Sequence, residues 1–125
     1  MNTNNFNKNF KLNGNYFTSE EELIAYSKTI SPSILSFLEA WFNKEITIKV
    51  QTSGSTGKPK IIKLKKEYMI NSAKATGVFF NLPENTTALL CLSTNYIAGK
   101  MMLVRALTLG WQLDVVDAIS NPLYH

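Results

Sequence analysis

Apolar side chains recur at helical spacing in two adjacent segments of the first third of the chain. Ser19 is followed three residues later by Glu22, which is the pattern of a capping box and predicts a helix that begins at residue 18 or 19. Ser31 then precedes Pro32, the residue favoured at the first helical position. The apolar spacing after it predicts a second, strongly amphipathic helix over residues 31–43.

From Glu45 the apolar period changes from helical spacing to alternation, which predicts a half-buried strand to residue 51. Alternation returns near residue 61 and predicts a second strand. The segment between them, residues 52–59, has three breakers and no apolar side chain, so the two strands are expected to form a hairpin with a polar, glycine-rich tip. The alternating apolar residues are Ile46, Ile48, Val50, Ile62 and Leu64.

The second half of the chain predicts a helix over 66–80 and a short buried strand over 87–92. A helix over 99–109 follows, with Gly110 in a position typical of a helix end, and then a strand to residue 116. Strand, helix and strand in this order form a βαβ unit, so we expect 87–92 to pair in parallel with 112–116. The predicted fold class is α/β, with a mixed or parallel sheet, flanking helices and a glycine-rich hairpin loop.

The first 17 residues give a weaker pattern. Five of the first nine residues are asparagine, and Phe6 and Phe10 are the main apolar points. We expect residues 1–17 to be a loosely ordered lead that docks through its aromatic side chains, and residues 18–125 to form the domain.

Composition narrows the function classes. A chain of 125 residues with 45% hydrophobic content favours one globular domain. A single cysteine excludes an internal disulfide and is typical of a reducing compartment, so we expect a cytoplasmic protein. One histidine and one cysteine leave no zinc or haem site, and no apolar stretch is long enough to predict a membrane span. The net charge of +4 is compatible with an anionic ligand.

The candidate chemistry lies in residues 52–60, Thr-Ser-Gly-Ser-Thr-Gly-Lys-Pro-Lys. Its glycines let backbone approach a ligand closely, its hydroxyls donate hydrogen bonds, and successive backbone N–H groups form an anion-binding nest. Lys58 and Lys60 add charge that strengthens such bonds. The spacing is not that of a Walker A loop, because only two residues separate Gly54 from Gly57 and Pro59 follows Lys58. Taken alone, a Gly-Ser-Thr-Gly segment is more typical of an ordinary hairpin tip than of a phosphate site, and only the full nine residues between two strands reverse that preference.

The nine residues together resemble the phosphate-loop signature of adenylate-forming (AMP-binding) enzymes of the acyl-CoA synthetase branch. The resemblance implies that the chain is an incomplete N-terminal AMP-binding domain. It implies a ligase that converts a carboxylic acid and Mg-ATP into an acyl-adenylate and pyrophosphate, and then into a thioester with coenzyme A. By the same resemblance, the ATP phosphates would be bound by Thr52, Ser53, Gly54, Ser55, Thr56, Gly57, Lys58 and Lys60.

The segment from Ile46 to Val116 is most similar to o-succinylbenzoate–CoA ligases of menaquinone synthesis. Many family members place a histidine three residues before a glycine on the acyl-pocket side, and here Tyr96 and Gly99 fill that pattern. Tyr96 is therefore either an acyl-pocket residue or an aromatic packed at a turn. The family's later adenine, ribose and lysine motifs are not found, so no catalytic residue is identifiable and we expect this fragment to be inactive alone.

The alternative function is a non-enzymatic phosphate- or nucleic-acid-binding module. Five of the 13 basic residues fall within nine positions, which is a pattern that can follow a phosphate backbone. Two of them alternate with apolar residues and are interpreted as a solvated strand face, and no paired aromatics are placed for base stacking, so we do not favour nucleic acid. Lys100 and Arg105 are interpreted as solvated surface charges. The five clustered lysines are Lys58, Lys60, Lys63, Lys65 and Lys66.

Overall fold

The fold is described from a computed structural model that covers residues 6–52, 58, 60–91 and 93–116. The described residues form four helices and two small sheets. In chain order these elements are β1 (Lys11–Leu12), α1 (Glu20–Ile30), α2 (Pro32–Phe42), β2 (Thr47–Gln51), β3 (Ile61–Lys65), α3 (Lys66–Phe79), β4 (Thr87–Leu90), α4 (Ile97–Leu109) and β5 (Gln112–Val115).

The central sheet is parallel and has the strand order β1-β5-β4. Strand β4 pairs in parallel with β5, with Thr87 opposite Gln112 and Leu90 opposite Val115, and α4 connects them. The predicted βαβ unit and the predicted α/β fold class are therefore confirmed. Helix α4 begins at Ile97, two residues before the predicted start, and ends at Gly110, whose φ of 75° is the left-handed conformation that glycine adopts readily.

The predicted hairpin is present as a separate antiparallel sheet of β2 and β3, in which Ile48 lies opposite Leu64 and Val50 opposite Ile62. Ile48 and Val50 are buried as expected. Ile62 is 39% exposed, so β3 is more exposed than the alternating pattern predicts. The pattern identifies which face of a strand is apolar, but it does not show whether another layer covers that face.

Both helix starts predicted near the beginning of the chain are confirmed. The hydroxyl of Ser19 accepts a hydrogen bond from the backbone N–H of Glu22 at 3.1 Å. The carboxylate of Glu22 accepts from the backbone N–H of Thr18 at 2.9 Å, one residue before the position of an ideal capping box. Ser31 ends α1 and also caps α2, since its hydroxyl accepts from the N–H of Ile34 at 3.3 Å.

Residues 6–17 are packed rather than loosely ordered, so that expectation is wrong for this part of the lead. Phe6, Phe10 and Leu12 are buried in the hydrophobic core, as docking by the aromatics requires. Strand β1 pairs in parallel with β5, and the backbone N–H of Asn7 donates to the carbonyl of Leu107 at 2.7 Å. Residues 1–5 lie outside the described residues.

Helix α3 packs on the core through a narrow face. Met69, Ala73 and Gly77 are buried, whereas Phe79 is 80% exposed. A Cβ at Gly77 would lie 2.9 Å from a Leu109 methyl group, so the glycine allows close packing of α3 on α4. No helix among the described residues has the length and apolar character needed to cross a bilayer.

Candidate functional site

The described ends of the predicted phosphate-binding segment are joined by two hydrogen bonds. The backbone N–H of Thr52 donates to the carbonyl of Lys60 at 2.9 Å, and the backbone N–H of Lys60 donates to the hydroxyl of Thr52 at 3.3 Å. These bonds continue the β2–β3 ladder by one residue pair. The hairpin therefore holds the two ends of the segment together as the polar connection between two paired strands.

The exposure of the described residues fits a ligand-facing segment. Lys58 and Lys60 are exposed and Thr52 is half-buried. No carboxylate of the described residues pairs with either ammonium group, so both charges remain available to an anion. The other five residues of the predicted phosphate-binding set lie outside the described part of the chain; they are Ser53, Gly54, Ser55, Thr56 and Gly57.

The second pair of candidate residues lies where the chain enters α4. Tyr96 is the residue before the helix and is 36% exposed, so it is not a core aromatic. Gly99 is buried in the first turn, and a Cβ there would collide with the carbonyl of Ser93 and lie 2.9 Å from the backbone nitrogen of Thr94. The close approach of the preceding backbone therefore requires glycine at this position.

A buried threonine fixes the turn before α4. Thr94 is 2% exposed, and its hydroxyl donates to the hydroxyl of Ser33 at 2.7 Å. The hydroxyls of Ser33 and Ser31 lie 3.0 Å apart, so the chain of hydroxyl groups continues to the start of α2. This network anchors the segment that carries Tyr96 to the neighbouring helix.

Lys100 is not the solvated surface charge that the sequence suggests. Its ammonium group donates to the carbonyl of Thr94 at 2.7 Å and lies 5.5 Å from the ring centroid of Phe37. Burial lowers the pKa of Lys100 below its ordinary value of 10.5, since desolvation disfavours the charged form. In the sequence, Lys100 directly follows Gly99 at the start of an apolar helix, and this position is the local sign that its ammonium group is partly buried.

The structure brings the first turn of α4 close to the hairpin. Lys100 lines one groove together with Lys49 of β2 and Lys63 of β3. The described lining of that groove includes neither Tyr96 and Gly99 nor the described residues of 52–60, so the groove does not join the two predicted sites. The sequence indicates the hairpin segment and the turn before α4 but not this groove.

The donor groups of the site suit an anion better than a metal ion. Among the described residues, no group of three histidine, cysteine, aspartate or glutamate side chains is placed to hold a metal. Hydroxyl, backbone N–H and ammonium donors at Thr52, Lys58 and Lys60 fit phosphate oxygens. Mg²⁺ keeps several waters and often binds through substrate phosphates with few protein ligands, so this donor set is compatible with Mg-ATP.

Comparison with solved structures shows that the chain is similar to an acyl-CoA synthetase (AMP-forming)/AMP-acid ligase II-like protein from Dyadobacter fermentans. The two are 40% identical with a TM-score of 0.63, over 70% of this chain. The chain spans only 26% of the length of that protein. The chain is less similar to the Vibrio cholerae adenylation domain AlmE. The two are 21% identical with a TM-score of 0.49, and the match covers 69% of this chain and 17% of that one.

Comparison with protein-family models gives no match, and comparison with curated proteins gives none either. The similarity to the Dyadobacter fermentans protein covers both sequence and fold. The described α/β fold matches part of the fold of that protein, which supports the resemblance indicated by residues 52–60.

Proposed function

We propose that this chain is part of an ATP-dependent acid–CoA ligase. In the first step, a carboxylate attacks the α-phosphorus of Mg-ATP and releases pyrophosphate. In the second, the thiol of coenzyme A displaces AMP and forms a thioester. The observation that carries the proposal is the position of the nine-residue signature 52–60 between two paired strands, with its ends joined by the Thr52–Lys60 hydrogen bonds.

In this proposal the hairpin segment acts by electrostatics rather than by proton transfer. The ammonium groups of Lys58 and Lys60, with hydroxyl and amide donors, hold the β- and γ-phosphates and stabilise the charge that grows as pyrophosphate leaves. Mg²⁺ supplies further charge neutralisation on the phosphates when bound. A carboxylate is already ionised near neutral pH, so its attack needs no general base from this part of the chain.

At the finer level, we propose o-succinylbenzoate as the acid and the cytoplasm as the location. Tyr96 and Gly99 would lie on the acyl side, supported by the exposed position of Tyr96 and by the close backbone approach at Gly99. We expect the 125-residue chain to show no exchange of labelled pyrophosphate into ATP with this acid. Exchange above background would contradict the expected inactivity.

The test of phosphate binding is calorimetric titration of the chain with Mg-ATP. The double variant Lys58→Ala/Lys60→Ala is expected to bind about tenfold more weakly or worse, because hydrogen bonds to charged groups contribute roughly 1.5–3 kcal/mol each. Lys44→Ala is the matched control, since Lys44 is also exposed but lies outside the hairpin. Absence of ATP binding in the unaltered chain, or equal affinity in the double variant, would overturn the proposal.

The nucleic-acid alternative is less compatible with the arrangement of the clustered lysines. Lys66 donates to the side-chain oxygen of Asn43 at 2.8 Å, and Lys63 lines the groove beside α2. Lys66 is therefore not part of one exposed stripe with Lys58 and Lys60. A DNA-binding constant that falls steeply with salt, on a log–log plot, would favour the alternative.

A further inference from the structure

A groove of about 510 Å³ runs beside β2, between α2, the hairpin and the first turn of α4. We call it the basic groove and define it by Lys49, Lys63 and Lys100. Glu45 is the one carboxylate in its described lining, and Phe37 and Ala40 form an apolar wall. Three cationic groups and one carboxylate leave the described lining with a surplus of positive charge.

Two of these cations lie directly across from each other on the hairpin. Lys49 is opposite Lys63 in the antiparallel register. Backbone hydrogen bonds join Thr52 to Lys60 and Ile46 to Lys66, and hydrogen-bonded pairs alternate along the ladder, so Lys49 and Lys63 form a non-hydrogen-bonded pair. In such pairs the Cα atoms are only about 4.5 Å apart. Like charges in this position destabilise a sheet unless an anion lies between them.

The third cation belongs to the first turn of α4 and is partly removed from water. The ammonium group of Lys100 has three N–H donors, and one of them is used by the carbonyl of Thr94. No carboxylate among the described residues pairs with it. Burial lowers the pKa of Lys66, and the charge of Glu45 offsets part of that effect, so Glu45 acts on Lys66. Two donors of Lys100 are therefore available to a ligand.

We propose that the basic groove is an anion site, separate from residues 52–60, that binds the carboxylate or phosphate group of a small organic molecule. Lys49 and Lys63 contact the anion from the hairpin, and Lys100 contacts it from α4. The apolar wall of Phe37 and Ala40 covers the carbon skeleton next to the charged group. The inference does not depend on the ligase assignment, because it uses neither the hairpin tip nor the candidate acyl-pocket residues Tyr96 and Gly99.

The test is a titration of the ¹⁵N-labelled 125-residue chain at low salt, followed by amide chemical shifts. One arm uses phthalate, an aromatic dicarboxylate, and the other uses inorganic phosphate. We expect saturable shifts at Lys49, Lys63 and Lys100 in at least one arm, and the arm that saturates identifies the ligand class. Saturation in neither arm, or shifts confined to residues next to the hairpin tip, would overturn the proposal.

Single-residue variants distinguish anion binding at a specific site from a general effect of the positive charge of the chain. Lys63→Gln is expected to weaken binding about two- to fivefold, as for an exposed charge, and Lys100→Met about tenfold, as for a partly buried one. Lys28→Gln, an exposed lysine at the end of α1, is the matched control and should leave the affinity unchanged. Equal weakening by Lys28→Gln would contradict the proposal.

A stability measurement without ligand provides a second readout. Lys63→Gln should raise the melting temperature of the free chain, because it removes the like-charge pair with Lys49, and it should reduce the further rise that ligand produces. If Lys100→Met does not fold, Lys63→Gln decides the outcome alone. Unchanged ligand stabilisation in Lys63→Gln would overturn the proposal, whereas loss of ATP affinity in Lys58→Ala/Lys60→Ala bears only on the hairpin tip.

Discussion

At the scale of single residues, two buried glycines allow close packing for different reasons. A Cβ at Gly99 would collide with backbone atoms of Ser93 and Thr94, which cannot move without displacing the turn before α4. A Cβ at Gly77 would meet only the end of the Leu109 side chain, at 2.9 Å. Side-chain ends can rotate away, whereas backbone can yield only by moving the chain.

Gly99→Ala is therefore expected to lower the free energy of unfolding by about 1–3 kcal/mol, the usual cost of overpacking. Gly77→Ala, the matched control, should stay within about 1 kcal/mol of the unaltered chain, since the gain in helix propensity offsets the displacement of Leu109. Urea denaturation measures both values. An equal loss in the two variants would contradict the distinction between backbone and side-chain contacts.

Lys100 gives a pH prediction at the same scale. Burial lowers its pKa below 10.5, so the folded chain binds this proton more weakly than the unfolded chain does. As the pH rises from the folded pKa towards 10.5, the unfolded chain holds more of the proton, and stability should rise relative to Lys100→Met, which lacks the group. Unfolding of both chains at about pH 8 and about pH 10 tests the sign. A gap that stays constant or moves the other way would contradict burial of the charge.

At the scale of elements, local signals in the sequence predicted the starts of α1 and α2, the β2–β3 hairpin and the parallel pairing of β4 with β5. Each depends on neighbouring residues or on a short connection, which a single sequence carries. The pairing of β1 with β5 joins residues about 100 positions apart through two residue pairs, and no local sequence pattern indicates it. The buried face of α3 likewise depends on how closely α4 approaches Gly77.

Ser31 joins two elements, since it ends α1 and caps α2. Ser31→Ala should lower the free energy of unfolding by about 1 kcal/mol, because the N–H of Ile34 loses its side-chain acceptor. Ser36→Ala, on the exposed side of α2, should be neutral or slightly stabilising, as alanine has the higher helix propensity. Thermal unfolding compares the two, and an equal cost would argue against the cap.

At the scale of the whole molecule, the lead is part of the core rather than an extension of it. Phe10 is 1% exposed and contacts the rings of Phe6 and Phe17, at centroid distances of 6.0 and 6.5 Å. For the same reason, only part of the candidate site can be predicted from the sequence. The signature of 52–60 is local, whereas the position of Lys100 beside the hairpin arises from tertiary packing.

Phe10→Ala is expected to cost about 3–5 kcal/mol of stability, as for other buried phenylalanines. Phe79→Ala is the matched control, because Phe79 is 80% exposed and its loss should change stability by no more than about 0.5 kcal/mol. Chemical denaturation distinguishes the two outcomes. A Phe10→Ala chain as stable as the control would contradict the burial of the lead in the core and would mean that it is only loosely attached.

The central claim is that the hairpin tip binds the terminal phosphates of ATP, and a comparison of nucleotides tests it most directly. Calorimetric titration of the chain with Mg-ATP and with AMP varies only the β- and γ-phosphates. We predict that ATP binds about tenfold more tightly than AMP or better, and that this preference disappears in Lys58→Ala/Lys60→Ala. Equal affinities for ATP and AMP in the unaltered chain would contradict the claim.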